Sequence, residues 1–461
     1  MVNIDNIISK IDHNIDSSLS NLFDFLRIKS ISTNPVYKKD CEEASQWVNN
    51  YLNKIGLTSK VYHTNGNPIV LGNLTHKNQE KPHILFYGHY DVQPPDPIEK
   101  WSSDPFEPVL KEVNGKQAIV ARGSSDDKGQ LMTFIEALRA YLEVQGDLPV
   151  SISVLLEGEE ECGSSSMATF IETHSSLLKA DCIFICDTGM WNPTTPAITT
   201  SLRGLLSEEF DIIGPNRDLH SGEFGGTAWN PIRVLSNIIA GIHDHNGKIT
   251  IKDFYNGVEE LDQLTTSRWK SLELDAKDYL NNIGQKTSSG EVDRSILEQV
   301  WSRPTFEVNG IYGGYTEEGT KTVIPSKATA KITCRLVGMQ DPDELIKNIH
   351  QYIESKLPVG VSVFFKGYEG ASAIQVDTST DFFKSAENAI KKEWSVSPIL
   401  TGGGGSIPIV ESFKRKLGID SLLVGFALDD DCIHSPNEKY NLESFHKGIR
   451  TWARIINNIK K

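Results

Sequence analysis

Positive charge is in short supply in this chain. Against 61 acidic residues it sets only 46 lysines and arginines, a net charge of −15. That deficit disfavours nucleic acid and anionic membrane surfaces as partners. Cysteine is sparse as well. Six thiols (Cys41, Cys162, Cys182, Cys186, Cys334 and Cys432) scattered through 461 residues suit reduced side chains in a cytoplasm better than a disulfide frame. Cys182 and Cys186 come nearest to metal-ligand spacing, but they sit in Cys182-Ile183-Phe184-Ile185-Cys186, a buried-strand pattern in which free cysteine is a small hydrophobe. No stretch reaches the roughly 20 apolar residues of a membrane span. The opening Met1-Val2-Asn3-Ile4-Asp5 lacks the basic and apolar regions of an export signal, so the expected location is cytoplasmic. Internal repeats are missing, and low complexity is confined to the glycine run 402–405.

What is present is an alternation of strand-like and helix-like segments in a chain too long for one core. Ile7, Ile8, Ile11, Ile15, Leu19, Leu22, Phe23 and Leu26 recur at helical spacing until Asn34-Pro35. Trp47, Val48, Tyr51, Leu52 and Ile55 mark a second helix ending at Gly56. Apolar runs at 83–88, 150–156, 182–186 and 421–427 alternate with helical patterns, which predicts an α/β layer with a mostly parallel sheet sandwiched by helices. From about Arg203 the texture changes to half-exposed strands (210–213, 306–312, 328–337), a helix opened by Asn230-Pro231, and a polar, mostly helical stretch at 251–303. The reading is a first domain in two parts, 1–203 and 384–461, with an α+β domain at 204–383 inserted between them.

The chemistry gathers where the apolar runs end. His89 closes Ile84-Leu85-Phe86-Tyr87-Gly88, and Asp126, the trio Glu159-Glu160-Glu161, Asp187 and His434 follow similar runs or turns. Singly, each has a bland reading: a hydrogen-bonded His-x-Asp pair, a helix cap, a solvated turn, a strand end, a loop histidine beside Pro436. Together they are harder to dismiss. Strand tips of an open parallel sheet collect on one edge, where ligands bind. Two imidazoles and several carboxylates there would repel one another strongly without cations, so a two-metal site is the economical arrangement. Residues i and i+2 of a strand share a face, so Asp91 can reach the back of His89 and fix the tautomer of a metal-bound ring. His243-Asp244-His245 looks like a metal clip only superficially, because i and i+2 of a helix do not face each other.

The motifs Gly88-His89-Tyr90-Asp91-Val92-Gln93-Pro94, Arg122-Gly123-Ser124-Ser125-Asp126-Asp127-Lys128-Gly129 and Glu157-Gly158-Glu159-Glu160-Glu161-Cys162-Gly163-Ser164 resemble those of the co-catalytic dizinc peptidases. That superfamily includes carnosinase-type dipeptidases, glutamate carboxypeptidases, succinyl-diaminopimelate desuccinylase and aminoacylases. Leu219-His220-Ser221-Gly222, Lys321-Thr322-Val323-Ile324-Pro325, Arg335-Leu336, Gly404-Gly405-Ser406-Ile407-Pro408 and His434-Ser435-Pro436-Asn437-Glu438 extend the match over nearly the whole chain. The long inserted domain is most similar to that of the carnosinase-type dipeptidases.

The resemblance implies a zinc-exopeptidase-like fold whose inserted domain is a lid and dimerisation module that can hinge over the site. It implies that Asp126 bridges two metal ions, with His89 and Asp187 completing one shell and Glu161 and His434 the other. Glu160 would be the general base, acting on the water the ions share. His220 would stabilise the oxyanion in the site of a dimer partner, while Thr322, Arg335 and Ser406 hold the substrate's terminal carboxylate. It also implies a cis peptide between Asp126 and Asp127. Nitrogen and oxygen ligands without thiolate suit zinc, with manganese or cobalt as substitutes. The implied activity is hydrolysis of dipeptides or short peptides with a free C-terminus. The alternatives are amide hydrolysis of N-acyl amino acids and, more remotely, a non-catalytic metal-dependent binding protein. One departure bears on selectivity: Gly402-Gly403 stands where relatives usually carry a charged or polar pair.

Overall fold

The computed structural model describes residues 4–405 and 407–459. The chain divides into two compact units, one comprising Met1–Thr200, Val376–Thr401 and Ser412–Lys461, the other Ser201–Gln375 and Gly402–Glu411. Among the described residues no helix is long and apolar enough to cross a membrane.

The first unit is built on a mixed sheet. Across it lie Thr58–Tyr62, Ile69–Leu74, Ser151–Glu157, His83–His89, Cys182–Ile185, Ser421–Leu423 and Ala197–Leu202. The four strands from Ser151–Glu157 to Ser421–Leu423 are parallel, while the pairs flanking them on both sides are antiparallel. His83–His89 is joined to its neighbour Ser151–Glu157 through the helix Lys128–Gln145, and Ser151–Glu157 reaches Cys182–Ile185, on the far side of His83–His89, through Ser165–His174, whereas the short link from Tyr62 to Ile69 permits only a hairpin. Both faces of the centre are covered, so its strands read as unbroken apolar runs. Phe86 stacks on Phe134 with centroids 3.9 Å apart and meets Trp452 edge-on. The next side chain, Tyr87, meets Phe413 on the opposite face. Burying each such ring is worth about 2–3 kcal/mol. The helices Ile4–Leu26, Lys128–Gln145 and Asp381–Trp394 pack against Leu442–Asn458, whose Trp452 is wholly buried among Phe86, Phe134, Phe184 and Phe426.

The last parallel strand stops at Leu423, short of the expected 427. At Gly425 the backbone passes so close to Thr188 that a Cβ would lie 1.9 Å from its carbonyl oxygen, and beyond this crossing the parallel pairing resumes as an isolated bridge between Gly189 and Ala427. A small antiparallel sheet, Lys439–Asn441, Lys116–Val120 and Val109–Val113, then sets the segment before Lys439 beside the loop that follows Val120.

The second unit is a four-stranded antiparallel sheet, ordered Thr305–Gly313, Lys327–Leu336, Gly204–Ile213 and Ser362–Ala371. The helices Pro231–Ala240 and Pro342–Ser355 bury Val234, Leu235, Ile238, Ile346 and Ile349 against Leu206, Phe210, Ile212 and Ile332. Residues 251–303 are less helical than their composition suggests. Helices at Gln263–Lys270, Ala276–Asn282 and Ile296–Trp301, each started by a capping Asp262, Asp275 or Ser295, are separated by turns.

Candidate metal centre

His89 is the last residue of a central strand and is wholly buried. Asp91 lies behind it, with Oδ1 3.3 Å from His89 Nδ1. Its Oδ2 accepts from the Glu161 amide at 3.1 Å. On the other side His89 Nε2 faces Asp126 Oδ1 at 3.1 Å. The second Asp126 oxygen lies 2.9 Å from His434 Nε2, which is also 3.1 Å from Glu161 Oε2. Gln93 Nε2 donates to that Glu161 oxygen at 2.9 Å. The peptide between Asp126 and Asp127 is cis, and Asp127 Oδ2 accepts from the His89 amide at 3.2 Å.

Two groups of potential ligands emerge: His89, Asp126 and Asp187, and Asp126, Glu161 and His434. Within each, one donor atom per residue lies within 4.8 Å of the others, and Asp126 belongs to both. The donor set fits a pair of divalent cations. Glu161 Oε1 is buried and makes no hydrogen bond, an arrangement that is costly for the protein alone and suited to a metal ligand.

The acidic trio divides its work. Glu159 is buried and accepts from the amides of Asn67 and Ser166, both at 2.8 Å, which fixes the turn. Glu161 faces His434. Glu160, half-buried in the short helical turn Glu160–Cys162, belongs to neither ligand group.

In the second unit, His220 lies on the two-residue strand Leu219–His220, paired with Val323–Ile324, and is exposed. Its Nδ1 accepts from the Gly222 amide at 3.0 Å, which leaves the proton of the neutral ring on Nε2. Thr322 is exposed beside it and its carbonyl accepts from the Ser221 amide. Arg335 is half-buried on Lys327–Leu336, and Ser406 lies outside the described residues. Gly402 owes its identity to Trp301: a Cβ there would lie 2.5 Å from Trp301 Cβ, so the indole takes the space a larger residue would need. His243-Asp244-His245 is in a turn, not on a helix as expected, because Pro231–Ala240 has already ended and Asp244 Oδ1 accepts from the Asn246 and Lys248 amides.

A family model described as peptidase family M20/M25/M40 matches residues 85–458. The chain belongs to this peptidase family. It is 29% identical to a Cys-Gly metallodipeptidase of Schizosaccharomyces pombe over 99% of this chain and 98% of that one. It is 30% identical to the human Beta-Ala-His dipeptidase over 84% and 77%. The solved structure of the dipeptidase Dug1p from Saccharomyces cerevisiae superposes with a TM-score of 0.81 at 27% identity, covering 99% and 98% of the two chains. That of human carnosine dipeptidase 1 gives 0.79 at 26% identity, covering 99% of each. As an M20 peptidase, the chain is a metal-dependent hydrolase.

Protonation in this M20 peptidase reflects the crowding of charge. Burial works against the charge of Asp126, but the two imidazoles hold its carboxyl below the usual range. Burial and the Asp126 charge push Asp187 well up. Burial also raises Glu160, against the pull of His89, and lifts Asp127 to about 8. Asp126 and Glu161 raise His434 to about 10. For His89, burial favours the neutral ring, but Asp126 and Asp91 outweigh it and the pKa rises. Metal-free protein therefore holds a proton on His434 at neutral pH, and metal ligation by this side chain would expel it. Metal uptake should release protons, and affinity should rise with pH as far as about 10, where His434 loses its proton unaided. Calorimetric titration at pH 7 in buffers of different ionisation heat checks this: a buffer-independent enthalpy would contradict it.

Proposed function

We propose that the chain is a dipeptidase that hydrolyses dipeptides and short peptides with a free C-terminal carboxylate, using two zinc ions held by His89, Asp126, Glu161, Asp187 and His434. The observation that carries this reading is the shared position of Asp126 between two ligand groups. Similarity to metallodipeptidases along nearly the whole chain supports it. A bound metal pair would polarise the scissile carbonyl and acidify a water molecule. The rest falls to side chains. Asp91 orients His89 from behind and keeps its Nε2 facing Asp126. Glu160, whose pKa is raised by burial, takes the proton from the attacking water and returns it to the leaving amine. His220 Nε2–H donates to the developing oxyanion in the site of a second copy, and its exposure in the second unit supports a homodimer. Thr322, Arg335 and Ser406 hold the substrate's carboxylate. Cys162 and Cys432, exposed and free, suit a reducing cytoplasm.

A panel of dipeptides, their C-terminal amides and N-acetyl or N-succinyl amino acids tests the reading. Unblocked dipeptides should be turned over best, and turnover of the acylated compounds alone would overturn it. Arg335→Met should raise KM for free dipeptides by about 10–100-fold, the value of a hydrogen-bonded charged group, and affect the amides far less. An equal effect on both would detach Arg335 from the carboxylate.

A further inference from the structure

Glu438 is completely buried, yet it lies four residues beyond the half-exposed His434. Both of its oxygens are fully used. Oε1 accepts from the amides of Ser125 at 2.8 Å and Asp126 at 3.1 Å. Oε2 accepts from the Gly123 amide at 2.8 Å and from Arg122 Nη1 at 2.7 Å. Arg122, 1% exposed, sends its other terminal nitrogen to the carbonyls of Pro94 at 3.2 Å and Ser435 at 3.3 Å. The Ala121 amide donates to the Glu438 carbonyl at 3.1 Å.

One carboxylate and one guanidinium thus bind together the loop carrying Asp126 and the segment carrying His434, more than three hundred residues apart in sequence. The two sides of the centre differ in how they are held. His89 ends a strand locked into the middle of the sheet, and Asp187 follows another. His434 lies in an irregular segment with its backbone at φ 60°, and Ser435 beside it is gripped by Arg122.

We propose that Glu438 and Arg122 are positioning residues that set Asp126 and His434 at the spacing one ion requires, so that their loss empties the Asp126–Glu161–His434 side before the His89–Asp187 side. This rests on the ligand assignment made under the proposed function. A glutamine at 438 is nearly isosteric, but its amide would turn a donor toward two of the four donors it must satisfy. A lysine at 122 keeps the charge and gives up the fork that spans Glu438 and Ser435.

The experiment is calorimetric titration of metal-free full-length protein with Zn2+, with metal per chain measured after gel filtration, for wild type, Glu438→Gln and Arg122→Lys. Wild type should bind two ions. The variants should keep the first ion with only a small loss of affinity, since it shares Asp126, and bind the second about 10–100-fold more weakly, the usual effect of removing a group that orients a ligand. Melting temperatures of the metal-free forms separate this from general loss of fold, because a purely structural role would weaken both ions alike or neither. Two ions at wild-type affinity in both variants would overturn the proposal. If Glu438→Gln does not fold, Arg122→Lys alone decides between these results. His89→Ala and His434→Ala serve as controls: if neither alters Zn2+ binding, the ligand assignment itself fails, a result distinct from failure of the positioning role.

Discussion

Replacing Glu160 with glutamine should leave two ions bound and lower kcat by about 10²–10⁴-fold, the range associated with a positioned general base. The separation of effects follows from geometry. Glu161 faces His434 at 3.1 Å, whereas its neighbour Glu160 belongs to neither ligand group. Burial raises the Glu160 pKa, which brings its proton affinity closer to what accepting from water at neutral pH requires. Metal analysis and steady-state kinetics on the same preparation check both halves. Activity within tenfold of wild type would remove Glu160 from the reaction, and loss of an ion would make it a ligand instead.

Asp126→Ala should have a still broader effect. Its two oxygens face His89 at 3.1 Å and His434 at 2.9 Å, so its removal withdraws a ligand from both groups together. Several kcal/mol of transition-state stabilisation depend on the metal pair, which corresponds to at least ~10³-fold in kcat/KM. Metal content should drop on both sides. By contrast His434→Ala, which touches one group, should retain an ion at the His89 side. Retention of both ions in Asp126→Ala would show that the carboxylate is not shared.

The residues proposed as ligands stand out in the sequence because several of them lie beside a recognisable local signal. His89 closes an apolar run, Asp126 precedes a helix, and Asp187 follows the strand Cys182–Ile185. The parallel centre of the sheet was readable for the same reason, since burial on both faces makes its strands continuously apolar. Its antiparallel flanks were harder, because Thr58–Tyr62 and Ile69–Leu74 are short and partly polar. The hairpin of Val109–Val113 and Lys116–Val120 carries Asn114-Gly115 at its turn, a strong local signal, yet periodicity leaves that segment unassigned. Glu438, Arg122 and Gln93 lie inside motifs that carry the family resemblance, but nothing local tells what they touch. Their roles arise from approaches as distant as Glu438 to Gly123, 315 residues apart, and no periodicity reports such an approach. Trp301 against Gly402 is of the same kind: the glycine is visible in the sequence, but what fills the space is not.

The position of Ser421–Leu423 in the sheet has a consequence for biogenesis. That strand sits between Cys182–Ile185 and Ala197–Leu202, although it is synthesised more than two hundred residues after both. On the ribosome those two strands must wait with unpaired edges, which are sticky surfaces, while the whole second unit emerges. The pairing that finally closes the gap is among the most non-local in the molecule, and such pairings slow folding. Mispairing during synthesis is therefore concentrated at these two open edges, which close only when Ser421–Leu423 arrives between them.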